Sequence, residues 1–340
     1  MAVELISASR IAGETYDWSM ETRQIGPHLP LATGLLKAAD RAQEIGATAV
    51  QIWTDNPTAW RRRQEQPKAL AEFRDRLRAG GVRSIAVHAP YLINLCGADE
   101  DFWHKSIDTV VNELRVARLY GADAVVMHIG SHRGMGRETG IARLIDGLGA
   151  VQDETANDPD DPDGSRMPRL VLENSAGTGD GIGAALEDLA DILEAAGTGG
   201  LAIDRLGVCL DTAHLWGAGY DVSDDDGVEG LVGRIDELVG RENVVMLHLN
   251  DSRTVLGSHL DRHEHIAAGQ LGADGMRGLL THPWLATLPT FLETPGMDVG
   301  YDKVNLDRVR QLIDGETPAV LPPEAFEVRG SKTRTAPPQA

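Results

Sequence analysis

Nine residues carry the chemical interest of this sequence: His88, His128, Glu173, Asp211, His214, His248, Asp261, His263 and Glu293. Most sit at the end of a short apolar run. VMH ends at His128, VLEN holds Glu173, GVCLD ends at Asp211, VVMLHLND holds His248, and TFLET holds Glu293. A single histidine in such a place is ordinary structure, and Asp211-x-x-His214 or Asp261-x-His263 alone says little. A carboxylate inside an apolar run, such as Glu173, says more. Burying it unpaired is costly, so it needs a cation nearby. Together, five imidazoles and four carboxylates with no thiolate suit a cluster of zinc ions, with manganese or iron as substitutes. One zinc takes roughly three or four protein ligands. Nine residues therefore exceed one site and, with one carboxylate bridging, fit three ions.

Such a cluster requires elements that bring the run ends together. Eight strand-like runs end near His28, Trp53, His88, His128, Glu173, Asp211, His248 and Glu293. Helical patterns lie between them, among them ATGLLKAADRAQEIG, FWHKSIDTVVNELRVARLYG and ALEDLADILEAAG, and several close on glycine as helix C-termini do. Eight β-then-α units predict an α/β fold, a single-domain parallel (β/α)8 TIM barrel. All strand C-termini of such a barrel open on one face, which places the metal cluster there. A doubly wound open sheet would not gather ligands from so many strands around one axis. The segment 207–221 reads as a buried strand delivering Asp211 and His214 into a loop that a Gly-rich turn (Gly217, Gly219) ends.

The expected organisation is an N-terminal extension (1–22), the barrel (23–314) and a Pro-rich, partly disordered tail (315–340). An acidic, solvated insertion (152–168) precedes the fifth strand. Trp60-Arg61-Arg62-Arg63 is either a solvated helix start or a phosphate contact. Net charge is −20, much of it in the runs 153–163 and 221–229, which argues against loose binding to nucleic acid. Bound divalent cations would still place positive charge where a phosphate reacts. No apolar run approaches the ~20 residues of a membrane span, and the first residues lack the charged and apolar regions of a secretory signal. Cys96 and Cys209 sit in apolar surroundings and read as buried free thiols, which suits a cytoplasmic protein.

Several segments point further: HAPYLINL (88–95), HIGSH (128–132), LENSAG (172–177), GVCLDTAHLWGAGYD (207–221), HLNDSRTVLGSHLDRHEHIAAGQLG (248–272) and LET (292–294). With them the chain resembles the endonuclease IV family of apurinic/apyrimidinic (AP) endonucleases over roughly residues 24–314. The resemblance implies a trinuclear zinc site. His88 and His128 would bind the first ion with Glu173, and Glu173 would bridge to a second ion held also by Asp211, His248 and Glu293. His214, Asp261 and His263 would hold the third.

The implied reaction is hydrolysis of the phosphodiester 5′ to an abasic sugar in double-stranded DNA, by metal-activated water, leaving a 3′-hydroxyl and a 5′-deoxyribose phosphate in base excision repair. Glu173 is then the central catalytic residue, and Tyr91 and Leu92 match the wedge that family members push into the base stack. The expected enzyme is a monomer without an obligate protein partner.

Three places depart from the family pattern. The loop usually reading N-Q-R-x-W is Asn56-Pro57-Thr58-Ala59-Trp60, so Thr58 replaces the inserted arginine. The motif G-A-H-x-S is here Gly26-Pro27-His28-Leu29-Pro30, and I-G-x-G, commonly with glutamate third, is Ile266-Ala267-Ala268-Gly269. Thr58, His28, Pro30 and Ala268 thus fall where DNA or the abasic sugar would be touched. The alternatives are a metal-dependent barrel enzyme acting on a small sugar or sugar phosphate, and a catalytically silent lesion binder. The complete third ligand set favours phosphoester chemistry.

Overall fold

The apolar runs become eight short parallel strands: β1 (Ile25–Pro27), β2 (Ala49–Ile52), β3 (Ser84–His88), β4 (Ala124–His128), β5 (Arg169–Glu173), β6 (Leu206–Asp211), β7 (Val244–His248) and β8 (Thr290–Leu292). The computed structural model describes residues 22–63, 65–156, 158–161 and 167–328, together with the antiparallel pair Arg10–Ile11 and Glu14–Thr15. Strand order is β1-β8-β7-β6-β5-β4-β3-β2. A parallel bridge between His28 and Gln51, with Leu29 N donating to Gln51 O at 2.8 Å, joins the two ends of that order into a barrel.

Alternation along each strand builds two cores. Val50, Ile52, Val87, Val125, Leu170, Leu172, Val208, Leu210 and Leu247 pack outward against the helices. Ala49, Ala86, Val126, Val171, Cys209, Met246 and Phe291 fill the barrel interior. The strand period is two, so the next inward position toward the C-terminal end of each strand is Gln51, His88, His128, Glu173, Asp211, His248 and Glu293 in turn. A polar layer thus sits directly above an apolar plug. Gly26, the inward residue of β1, must be glycine because a Cβ there would stand 1.8 Å from Ala49 O.

Nine helices wrap the barrel among the described residues: α1 (Leu35–Ile45), α2 (Leu70–Ala79), α3 (Glu100–Tyr120), α4 (Arg137–Ala156), α5 (Leu186–Thr198), α6 (Thr212–Ala218), α7 (Asp225–Leu238), α8 (Gly272–Thr281) and α9 (Tyr301–Ile313). The longest, α3, starts at Asp99, whose carboxylate accepts from Phe102 N at 2.9 Å, and stops at Gly121 in the left-handed region. Cys96 and Cys209 are buried and unbridged, and burial pushes both thiols up to about 12. No helix among the described residues is long and apolar enough to cross a membrane.

Four sequence expectations are corrected. The residues after Asp211 are not a loop. They form α6, because the Asp211 carboxylate caps its first turn through His214 N at 2.8 Å. The acidic insertion is not wholly solvated: α4 runs on to Ala156, and Asp158 is buried with Arg115 Nε 3.3 Å away. Trp60–Arg63 starts no helix, since α2 begins only at Leu70. Residues 315–328 of the expected tail lie on the barrel. Arg308 donates to Ala319 O at 2.6 Å, and Ala325 is fully buried with its carbonyl 2.9 Å from His265 Nε2. Residues 329–340 and most of the N-terminal extension lie outside the described residues.

Candidate metal centre

The polar layer gathers into three ligand groups whose coordinating atoms lie within 4.8 Å of one another: His88, His128 and Glu173; Glu173, Asp211, His248 and Glu293; and Asp211, His214 and His263. Asp261 joins the third group from the loop after β7, with its oxygens 3.3 Å from His214 Nε2 and 3.2 Å from His263 Nε2. All nine residues read from the sequence therefore converge on one face. Glu173 is shared between the first and second groups, and Asp211 between the second and third.

The hydrogen bonds fix which atoms face the centre. His88 Nδ1 is 2.7 Å from Ala89 O, His214 Nδ1 is 2.9 Å from Asn174 O, and His263 Nδ1 is 3.0 Å from Glu293 O. A carbonyl can only accept, so these nitrogens carry the protons and each Nε2 keeps its lone pair for a cation. His248 is reversed. Its Nε2 donates to Gln51 Oε1 at 2.9 Å, and its Nδ1 lies 2.9 Å from Glu173 Oε1 and 3.4 Å from Glu293 Oε2. Asn250 donates to Asp211 Oδ2 at 2.6 Å and accepts from Glu293 N at 2.8 Å, while Asn174 Oδ1 accepts from Asp211 N at 2.6 Å.

Among the buried atoms that make no hydrogen bond are two of the ligand atoms, Glu173 Oε2 and His263 Nε2. Glu173 Oε2 lies 3.4 Å from His88 Nε2 and 3.3 Å from His128 Nε2. A carboxylate oxygen ringed by imidazole lone pairs is a repulsive arrangement unless a cation or a proton fills the space between them. The residues thus fit divalent metal ions, and the all-nitrogen-and-oxygen donor set suits zinc or manganese. The electrostatics agree. Burial alone would lower His214, but Asp211, Asp261 and Glu173 outweigh it and hold the imidazole well above its usual range. Burial likewise opposes protonated His263, yet the Asp211 and Asp261 carboxylates raise it to about 10. Glu173 moves the other way: burial would raise it, and His248 and His128 pull it well below the carboxylate range.

Gln51 is the main residue that sequence reasoning passed over. It is fully buried, accepts from His248, donates to Glu293 Oε1 at 2.6 Å and lies 3.0 Å from His28 Nδ1. One side-chain amide therefore orients two ligands and His28. Its signal is a polar residue at an inward position of the otherwise apolar run AVQIW. Gln51→Met, which keeps the volume and removes the amide, is expected to weaken metal retention about 10- to 100-fold. A chelator titration read by metal content checks this, and an unchanged midpoint assigns Gln51 to packing alone.

A cavity of about 620 Å³ opens above the centre, lined by His28, Trp53, Thr58, Tyr91, Arg253 and Arg262 among others. Tyr91 is half exposed at its mouth, with its ring 5.4 Å from that of His88 and 5.7 Å from that of His128. Leu92 follows it, partly buried. Thr58 donates to Asn56 Oδ1 at 2.9 Å, closing a tight turn at the rim. His28 is buried against Trp53, ring centroids 3.9 Å apart, and lies 3.6 Å from Glu293 Oε1. Pro30 also lines the cavity, whereas Ala268 does not. Ala267 sits at φ 56° in the place where the family pattern has glycine. Arg62 turns inward to Glu113 at 3.3 Å and to the carbonyl of Asn56, so it shapes the loop around Thr58.

Fold and site together define a barrel of the xylose isomerase-like TIM barrel family, which the chain matches over residues 39–314. Within it, the chain is 36% identical to a probable endonuclease 4 of Halothermothrix orenii, over 84% of this chain and 99% of the relative. It is 34% identical to a probable endonuclease 4 of Methanoculleus marisnigri, over 85% and 98%. The crystal structure of endonuclease IV from Thermus thermophilus superposes with a TM-score of 0.72 at 34% identity, covering 86% of this chain and 99% of that one. The chain belongs to the endonuclease IV family.

Proposed function

We propose that the protein is a zinc-dependent AP endonuclease. It hydrolyses the phosphodiester 5′ to an abasic site in double-stranded DNA, leaving a 3′-hydroxyl and a 5′-deoxyribose phosphate for base excision repair. The observation that carries the reading is the third ligand group, His214, Asp261 and His263, joined to the second through Asp211. His88, His128 and Glu173 would hold one ion, Glu173, Asp211, His248 and Glu293 a second, and His214, Asp261 and His263 a third. When bound, the ions supply activated water and positive charge for both the attacked phosphate and the departing oxygen. Three dications against the four carboxylates leave the centre roughly two charges positive, so a phosphodiester is attracted there despite the acidic surface.

The chain's own groups do the rest. Buried Asn174, Asn250 and Gln51 hold the ligands in register, so little reorganisation accompanies the reaction. Tyr91, half exposed beside the centre, is placed to occupy the gap left by a displaced nucleotide. His28 and Thr58 face the cavity where the sugar and its flanking phosphate would lie. Tyr91→Ala is expected to raise KM for abasic duplex about tenfold, the scale of one lost stacking contact, with metal content and kcat unchanged. An unaltered KM removes Tyr91 from the interface.

The deciding experiment is cleavage of an end-labelled duplex carrying one tetrahydrofuran abasic analogue, by zinc-loaded and chelator-treated protein. The analogue cannot undergo β-elimination, so a cut must be hydrolytic. A chelator-sensitive cut immediately 5′ to the lesion with a 3′-hydroxyl is the expected result. No cut by protein shown to hold its metals refutes the reading and directs attention to small sugar phosphates.

A further inference from the structure

A second cavity, of about 610 Å³, lies where the loops after β1 and β2 run into α1 and α2. It shares no lining residue with the cavity over the metal centre, although Pro30 of one and Leu31 of the other are adjacent in the chain. Lys37, Arg63 and Lys68 line it, and none of its described lining residues is acidic. These cations have no side-chain hydrogen bond or ion pair among the described residues, in a protein of net charge −20. Arg63 closes the run Trp60–Arg63. Arg62 turns in to Glu113, and Arg63 goes to this cavity.

Helix α1 begins at the same place. Gly34 at its N-cap offers no side chain, and its first turn holds no acidic residue. The amides of that turn and the positive end of the helix dipole are therefore left for another acceptor, beside Leu35, Leu36 and Lys37 on the cavity wall. Solvent alone could satisfy these groups, but it does not reach Tyr120. This residue, fully buried at the end of α3, lines the cavity, and its hydroxyl makes no hydrogen bond. Burial pushes the phenol up while the Arg63 charge pulls it back, so the hydroxyl lies toward the cationic side. A buried donor without an acceptor is costly, and an anion seated between Tyr120, Arg63 and the start of α1 would supply one.

The geometry points to a phosphate-binding site between α1 and α2, formed by Lys37, Arg63, Lys68, the first-turn amides of α1 and the Tyr120 hydroxyl. The cavity is larger than a phosphate ion, so the group is carried on a larger molecule. That molecule is the backbone of a duplex whose lesion lies at the neighbouring cavity, or a nucleotide-sized ligand. The backbone source rests on the endonuclease reading; the phosphate site does not.

The test compares the metal-loaded full chain with Arg63→Ala and Tyr120→Phe. Inorganic phosphate is titrated at constant ionic strength and read by the rise in Tm that it causes. Phosphate held at the metals stabilises all of these proteins alike, so the difference between them reports the second cavity. Each variant is expected to raise the apparent Kd of that component about tenfold, the scale of one lost hydrogen bond to a charged group. Without phosphate, Tyr120→Phe should melt no lower than the wild type, because the hydroxyl it removes has no partner. Equal phosphate responses in all the proteins overturn the site. A Tyr120→Phe chain that melts lower without phosphate overturns it as well, since the hydroxyl then serves the fold. Binding to an undamaged duplex across a salt series separates the sources. If the ligand is the backbone, Arg63→Ala should lower the slope of log K against log salt by about 0.9. An equal slope with a lost phosphate response assigns the site to a small phosphate-bearing ligand. Cleavage of the tetrahydrofuran duplex by the wild type is measured in parallel. Failure to cut refutes the endonuclease reading and leaves the phosphate titration to decide the site.

Discussion

Glu173→Gln is expected to lower lesion cleavage by roughly 10³-fold or more, the scale on which removal of transition-state charge stabilisation acts, and to empty two ligand groups at once. Glu173 is fully buried at the end of β5 and is the only residue shared by the first two groups. Its Oε1 faces His248 Nδ1 at 2.9 Å, and its Oε2 faces His88 and His128. Glutamine keeps the shape, so the barrel should fold. It removes one negative charge and presents either an amide N–H₂ or a single carbonyl to atoms that need a carboxylate. Metal content per chain should fall from about three toward one, with His214, Asp261 and His263 the last to empty. Unchanged turnover, or a full metal complement, would show that Glu173 bridges nothing.

The contrast between Glu173 and Gln51 explains what the sequence reveals about this site. Glu173 stands out because a carboxylate between VL and N in a buried strand demands a partner, and each of the other ligands is a titratable group at the end of an apolar run or in the segment that follows one. Gln51 occupies the same layer, yet an amide carries no charge and no metal preference. Only the bonds to His248 and Glu293 reveal what it does. The eight strands are legible for a related reason. Nearly all are short apolar runs whose inward residues pass from a plug of Ala, Val, Cys, Met or Phe to a polar side chain within two positions. The misread segments are those whose fate depends on distant partners. Asp158 is buried because Arg115 and Arg118 reach it, and Ala325 because His265 does. Arg62 turns inward because Glu113 lies beneath it. None of these pairings leaves a periodic trace in the sequence. The segment after Asp211 is legible in hindsight, since an aspartate followed by Thr-Ala-His is a helix start as well as a metal-ligand motif.

Asp261→Ala is expected to separate the third ligand group from the other two. Asp261 is delivered by the long loop after β7 rather than by a strand end, and it is nearly half exposed. It touches His214 and His263 but no residue of the apolar core, so folding should be unaffected. His214 and His263 remain fixed through Asn174 O and Glu293 O, and Asp211 is still held by Asn250. The chain should then hold about two metals and lose a third, the mirror image of Glu173→Gln. If the third ion stabilises the departing oxygen, kcat should fall by roughly 10²–10³-fold, while KM for abasic duplex changes little, because Tyr91, Leu92 and Thr58 are untouched. A better leaving group should restore much of the loss. A phosphorothiolate with sulfur at the bridging 3′ position departs without the same help, so its cleavage should fall far less than that of the natural ester. Equal losses on both substrates would mean that Asp261 serves to position the loop around Arg262 and His263, and that the departing oxygen is stabilised elsewhere.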